Sequence, residues 1–230
     1  DLSTVIKAIT LEADGFDTKT LEEGTDYTTN ISSFTKTDKT NAGELTIKIS
    51  PKTAGVYTGT KSVTYTIAKA DLDEINAKIT GLNNAAYTGK EIEATKLQVQ
   101  ATGAYTFTKN DYEVKYSNNV NVGTATVTVT ASDDGNYTGS LTDTFEITQK
   151  SWGSPTVSKI EDQLYTGGEV KPDDFTVTLS DKTVLTKGED YELTYKNNKK
   201  IGTATIVISA KGNYTGSDIT KTFSIVAGDI

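Results

Sequence analysis

The stretch DYEVKYSNNVNVGTATVTVTASDDGNYTGSLTDTFEIT, Asp111 to Thr148, returns nearly unchanged as DYELTYKNNKKIGTATIVISAKGNYTGSDITKTFSIV, Asp190 to Val226. A third, more divergent copy begins at Asp26–Tyr27 and closes with GVYTGTKSVTYTIA, Gly55 to Ala68. Matched landmarks set the period. Asp26, Asp111 and Asp190 are 85 and 79 residues apart; Gly43, Gly123 and Gly202 are 80 and 79 apart; Tyr57, Tyr137 and Tyr214 are 80 and 77 apart. Self-similarity at a fixed period means one supersecondary plan used repeatedly. The copies divide the 230 residues into 1–69 (divergent), 73–148 and 155–227. A unit of this size buries only about 60% of its unfolded surface, so each has a small core.

Within each copy the apolar residues alternate. Ala125, Val127, Val129 and Ala131 form one face of a strand and Thr124, Thr126, Thr128 and Thr130 the other. The same period of two runs through Leu45, Ile47 and Ile49, and through Ala204, Ile206 and Ile208. A weaker alternation around Val5, Ile6, Ile9 and Leu11 reads as a first strand. Turn residues come every 8–12 positions or so, and no amphipathic helix of about ten residues can be drawn, a pattern that predicts an all-β sandwich. The last two strands of each copy should pair as an antiparallel hairpin. A β-grasp-like unit is the alternative with similar strand spacing. Five more residues separate Tyr27 from Gly43 than separate Tyr112 from Gly123, which predicts a longer solvated loop in the first copy.

Composition narrows the chemistry. The chain has no Cys, which removes disulfides and thiolate metal sites, and no His, the commonest general base. No Met occurs even at position 1, so the sequence reads as an internal piece of a longer chain. With 23 basic and 31 acidic residues interspersed, the net charge of −8 argues against nucleic acid as a partner. No apolar run is long enough to span a membrane. No Ser sits in a GxSxG turn, and no long loops are available to build a deep cleft, so the expectation is a protein that is not an enzyme and has no cofactor.

Several residues remain as candidates. Tyr-Thr-Gly occurs twice in the second and third copies, at Tyr87 and Tyr137 and at Tyr165 and Tyr214, and once in the first, at Tyr57. These tyrosines, with the strand-opening Gly123 and Gly202, read as framework: each ring closes one end of a core, and recurrence follows the fold. The Asp of each Asp-Tyr pair reads as closing a side-chain turn. Asp71, Asp73 and Glu74, at the first junction, are the best-placed carboxylates for a linker-stiffening Ca²⁺. Asn136 and Asn213 lie in glycosylation acceptor patterns, which fold constraint on the Tyr-Thr-Gly element explains without a sugar. Trp152, Tyr105 and Phe107 are not shared cleanly among the copies, so they are the candidates for a ligand-binding surface. The segments Ala70–Asn76 and Lys150–Pro155 read as linkers that set the bend, with Trp152 as a wedge between the second and third units.

On DY(E)(V/L)xYxNN, (V/I)GTAT(V/I), GNYTG and the closing TF(E/S)I, the chain resembles tandem Ig-like repeat modules of large Gram-positive cell-surface proteins and adhesins. The match covers the second and third copies in specific form. The first keeps DY, AG, GVYTG and TYTI but lacks the opening Tyr-Thr-Gly strand. The resemblance implies three Ig-like antiparallel β-sandwich modules in an elongated array, on a bacterial cell surface or secreted. It implies a monomeric stalk that projects an adjacent domain of the same chain. Two further readings are an adhesive module gripping a host glycan or protein, and an accessory domain of a surface carbohydrate-active enzyme.

Overall fold

A computed structural model of the chain describes residues 6, 8–12, 14–52, 56–103, 105 and 107–228. Contacts group it into two compact units, one of Asp1–Ile79, Gln98–Val114 and Val129–Leu141, the other of Thr80–Leu97, Lys115–Thr128 and Thr142–Ile230. The division passes through the second repeat. The first and second repeats therefore meet inside one unit, and the second and third inside the other.

The third repeat shows the plan most completely. Its main sheet has the order Gln163–Leu164, Ile219–Val226, Gly202–Ala210, Tyr191–Lys196. The three long strands are antiparallel, with Ala204 opposite Phe223 and Ile206 opposite Tyr195. The short edge strand differs from the all-antiparallel expectation: it runs parallel to the closing strand, Gln163 opposite Ile225. Alternation places Ala204, Ile206 and Ile208 at 0% exposure. Thr156–Val157 pairs with Val177–Thr178 as a second, two-stranded sheet. Trp152, Phe175, Val177, Leu179, Leu185, Phe223 and Ile225 complete one core with the long strands. Each fully buried Ile or Val contributes about 2 kcal/mol, so this small core rests on a handful of side chains.

The second repeat has the same six strands in the same two sheets. Its main sheet runs Tyr112–Ser117, Gly123–Ala131, Ser140–Thr148, Ala85–Ala86, and Lys78–Thr80 pairs with Gln98–Gln100. Ala125, Val127 and Val129 are fully buried, as the alternation predicts. In the first repeat the sheet is reduced to Tyr27–Thr29, Gly43–Pro51 and Lys61–Ile67, around a buried Ile47. Ile9–Leu11 pairs with Lys19–Leu21 beside it. Only 7 residues separate those two strands, against 17 between Lys78–Thr80 and Gln98–Gln100, too few for an edge strand and its return. Val5, expected in the first strand, lies outside the described residues. The longer connection from Tyr27 to Gly43 is more than a solvated loop: it carries a 3-10 turn, Ile31–Ser33, and a Thr35–Asp38 hydrogen-bonded turn. No α-helix occurs among the described residues, so the sheet-on-sheet arrangement holds and a β-grasp does not.

Short-range side-chain bonds set the register of every copy. Asp26 accepts the Glu22 N–H at 3.0 Å, Asp111 the Thr108 N–H at 2.6 Å, and Asp190 the Thr186 N–H at 2.8 Å. The turn before the Tyr strand is thus closed by the same carboxylate three times. After that strand, Asn118 and Asn197 take φ of 55° and 56°, a conformation asparagine tolerates. The neighbouring Asn119 and Asn198 are buried, and their amides donate to the Ile92 and Val170 carbonyls at 3.1 and 3.0 Å.

Candidate functional site: the joints between repeats

The chain passes between repeats with almost no linker. Closing strand Lys61–Ile67 is followed, after Ala68 and Lys69, by Ala70–Asp71, which lies parallel to Tyr137–Thr138 of the second repeat. Closing strand Ser140–Thr148 is followed, after Gln149 alone, by Lys150–Ser151, parallel to Tyr214–Thr215 of the third. The segments expected to act as bending linkers therefore begin as strands of the repeat that follows. Ala70 and Lys150, which lie ahead of 73 and 155, thus pair with strands of the second and third repeats. The second Tyr-Thr-Gly element of the second and third repeats supplies the partner edge. That explains why it leaves the hairpin between the two longest strands.

The same element holds the preceding repeat. Asn136 accepts the Ala42 N–H at 2.7 Å through Oδ1 and donates to Asn41 Oδ1 at 3.2 Å through Nδ2. Asn213 accepts the Val122 N–H at 2.9 Å and donates to Asn121 Oδ1 at 3.1 Å. One amide side chain thus bridges two repeats in the same way at both joints. The backbone carbonyls of Asn136 and Asn213 accept from Ala70 and Lys150, at 2.9 and 3.0 Å, so each asparagine ties strand entry and neighbour together. At the second joint Gln149 Nε2 also donates to the Gly212 and Tyr214 carbonyls, at 2.9 and 3.1 Å. Lys150 meets Asp181 at 3.2 Å, an exposed pair worth little by itself. The Asp181 carboxyl is nonetheless held down to about 2, first by the Thr183 hydroxyl and N–H and then by Lys150.

Behind each joint a side chain enters the core. Leu72 does so in the second repeat, at 1% exposure, and Trp152 in the third, at 3%. Trp152 fits because Gly216 faces it: a Cβ on that glycine would come within 2.2 Å of the indole. Tyr87 packs against the same core and meets Tyr214 edge-on, with ring centroids 5.5 Å apart. The indole Nε1 is buried without a hydrogen-bond partner among the described residues.

Trp152 is accordingly neither an exposed ligand-binding aromatic nor a wedge outside the modules; it belongs to the core of the third repeat. Phe107 is half-buried, tilted against Tyr137 at 4.5 Å. Tyr105 is 42% exposed, so of the three candidate ligand-binding aromatics it alone offers an open face. Tyr137 and Tyr214 are buried, and Tyr57 is half-buried with its hydroxyl 2.6 Å from Lys19 Nζ. Tyr87 is half-buried at the joint, whereas Tyr165 is 39% exposed. Gly123 and Gly202 open their strands at φ of 136° and 132° with open space around them, so backbone conformation alone selects glycine there. Among the described residues no three carboxylates stand together as a cation site, and Asp71 Oδ1 accepts the Asp73 N–H at 2.9 Å instead. Sequence reasoning missed the clamping role of Asn136 and Asn213. The available signal was the pairing of Asn-Tyr-Thr-Gly with Asn41-Ala-Gly and Asn121-Val-Gly one repeat earlier.

No family model matches the chain, and no curated protein matches it in sequence. Among solved structures it is similar to protocadherin gamma B7 extracellular cadherin domains 1–4, at 10% identity and a TM-score of 0.22. That alignment covers 95% of this chain and 64% of the other, so the chain spans less than two thirds of the protocadherin structure's length. The fold described above stands on its strand pairing.

Proposed function

We propose that the chain is a structural spacer, a set of stalk repeats in a bacterial cell-surface or secreted protein that holds another domain of the same chain away from its anchorage. The observation that supports this is the joint. Two successive repeats are connected through one or two residues, and both connections use the same asparagine bridge. Short connections with recurring cross-repeat bonds limit hinge freedom, which a spacer needs and a flexible tether does not. The motif resemblance to Gram-positive surface repeats points to the extracellular setting.

Small-angle scattering with and without Ca²⁺ tests the reading. A spacer of three sandwiches, each spanning roughly 27 Å along its strands, should show a maximum dimension on the order of 100 Å that Ca²⁺ does not change. A compact particle would retire the proposal. Lengthening only in Ca²⁺ would assign Asp71, Asp73 and Glu74 a ligand role.

A further inference from the structure

The end of the third repeat repeats the geometry of the joint face of the second. Tyr165 donates its amide to the Val226 carbonyl at 2.9 Å, as Tyr87 does to Thr148 at 2.9 Å, so the two tyrosines occupy equivalent places. By the same register Leu164 stands where Ala86 does. Ile201 precedes the strand-opening Gly202 as Val122 precedes Gly123. At the second repeat two of these positions meet the next repeat, Val122 through its N–H to Asn213 and Tyr87 at Tyr214, while Ala86 and Thr148 stay exposed and Val122 keeps 36% exposure.

At the third repeat the two contacting positions carry Ile201 and Tyr165, both more exposed than Val122 and Tyr87. Leu164 is 61% exposed, Ile201 58%, Tyr165 39% and Val226 38%. Pairing brings them to one sheet end, since Leu164 is opposite Val226 and Gly202 is opposite Ile225. Two of the four are larger than their joint counterparts, Leu164 for Ala86 and Ile201 for Val122. Exposed apolar side chains grouped at one sheet end mark an interaction face.

We infer that this end is a docking face for a further repeat of the same type, which seats an Asn-Tyr-Thr-Gly loop on Ile201 and Gly202 and a tyrosine against Tyr165. The inference rests on the joints being what stiffens the array, and Asn213→Ala in the unaltered chain tests that premise separately. The incoming asparagine accepts the Ile201 N–H as Asn213 accepts that of Val122. Its own N–H₂ loses one partner, because Lys200 stands where Asn121 offers an acceptor. This face therefore binds by apolar contact and one amide bond, with Lys200 setting a weaker joint than the two inside the chain.

The experiment appends a second copy of residues 150–226 after Ala227 and follows amide exchange at Ile201. Exchange should slow by about tenfold, the worth of one hydrogen bond, and return to its starting rate when the appended loop's asparagine is replaced by Ala. Lys200→Asn should slow it further. Unchanged exchange at Ile201, with the appended strands themselves protected, would overturn the inference. So would protection of Ile201 in the unaltered chain that grows with concentration, since a second copy would then be the occupant.

Discussion

Two glycines with different reasons for being glycine show how local constraint enters this fold. Gly216 has a φ of 155°, and a methyl group there would meet the Trp152 indole at 2.2 Å. Gly202 has a φ of 132° and no atom within 4 Å of an added Cβ. Gly216→Ala should cost about 3 kcal/mol by displacing a buried ring. Gly202→Ala should cost about 1–2 kcal/mol through backbone strain alone. Denaturant unfolding monitored by Trp152 fluorescence ranks the two, and equal costs would contradict the steric account. Tyr195 supplies a pH test. Its hydroxyl donates to the Pro172 carbonyl at 2.7 Å, and burial pushes its pKa up to about 12. Between about 10, the ordinary tyrosine value, and that pKa, the folded protein keeps a proton that the unfolded chain has released. Stability contributed by this group is present below pH 10 or so and is lost as pH rises through the window. Tyr195→Phe should cost about 1 kcal/mol at neutral pH and make the third repeat's stability flatter against pH above 10. Tyr191 and Tyr214, also raised by burial, keep part of the alkaline response.

At the scale of the element, the Asn-Tyr-Thr-Gly strand does three things within a few residues. Its asparagine holds the preceding repeat, its tyrosine closes the core, and its backbone pairs with the incoming chain. Asn213→Ala removes the first of these and leaves the others. The Val122 amide should then exchange about tenfold faster while exchange within Gly202–Ala210 stays as it was. Faster exchange throughout that strand would show that Asn213 supports the repeat rather than the joint. Leu72 and Trp152 reach the core from the paired segment just before the sandwich proper. That pairing is what turns a predicted linker into structure.

For the whole chain, the single tryptophan lies in the core of the third repeat, so its fluorescence reports that repeat alone. If repeats contribute their own stability plus a neighbour term, Asn213→Ala should lower the unfolding free energy read by Trp152 fluorescence only slightly, by about 1 kcal/mol. A collapse of the third repeat would mean that it does not fold without its neighbour's support. Much of this architecture was legible beforehand. The repeat period, the alternation through Ala125 to Val129 and Ala204 to Ile208, and the Asp and Asn turn residues depend on local spacing, which a linear chain displays directly. Tertiary structure decided what spacing does not encode. Ala70–Asp71 and Lys150–Ser151 form strands only because an edge of Tyr-Thr awaits each, and nothing in two such residues announces a partner some 65 positions away. Trp152 looked like an exposed oddity because repeat comparison detects difference, and burial is set by the glycine opposite. The asparagine bridges likewise join residues more than 90 positions apart, 136 to 42 and 213 to 122, and only folding brings them within hydrogen-bonding distance.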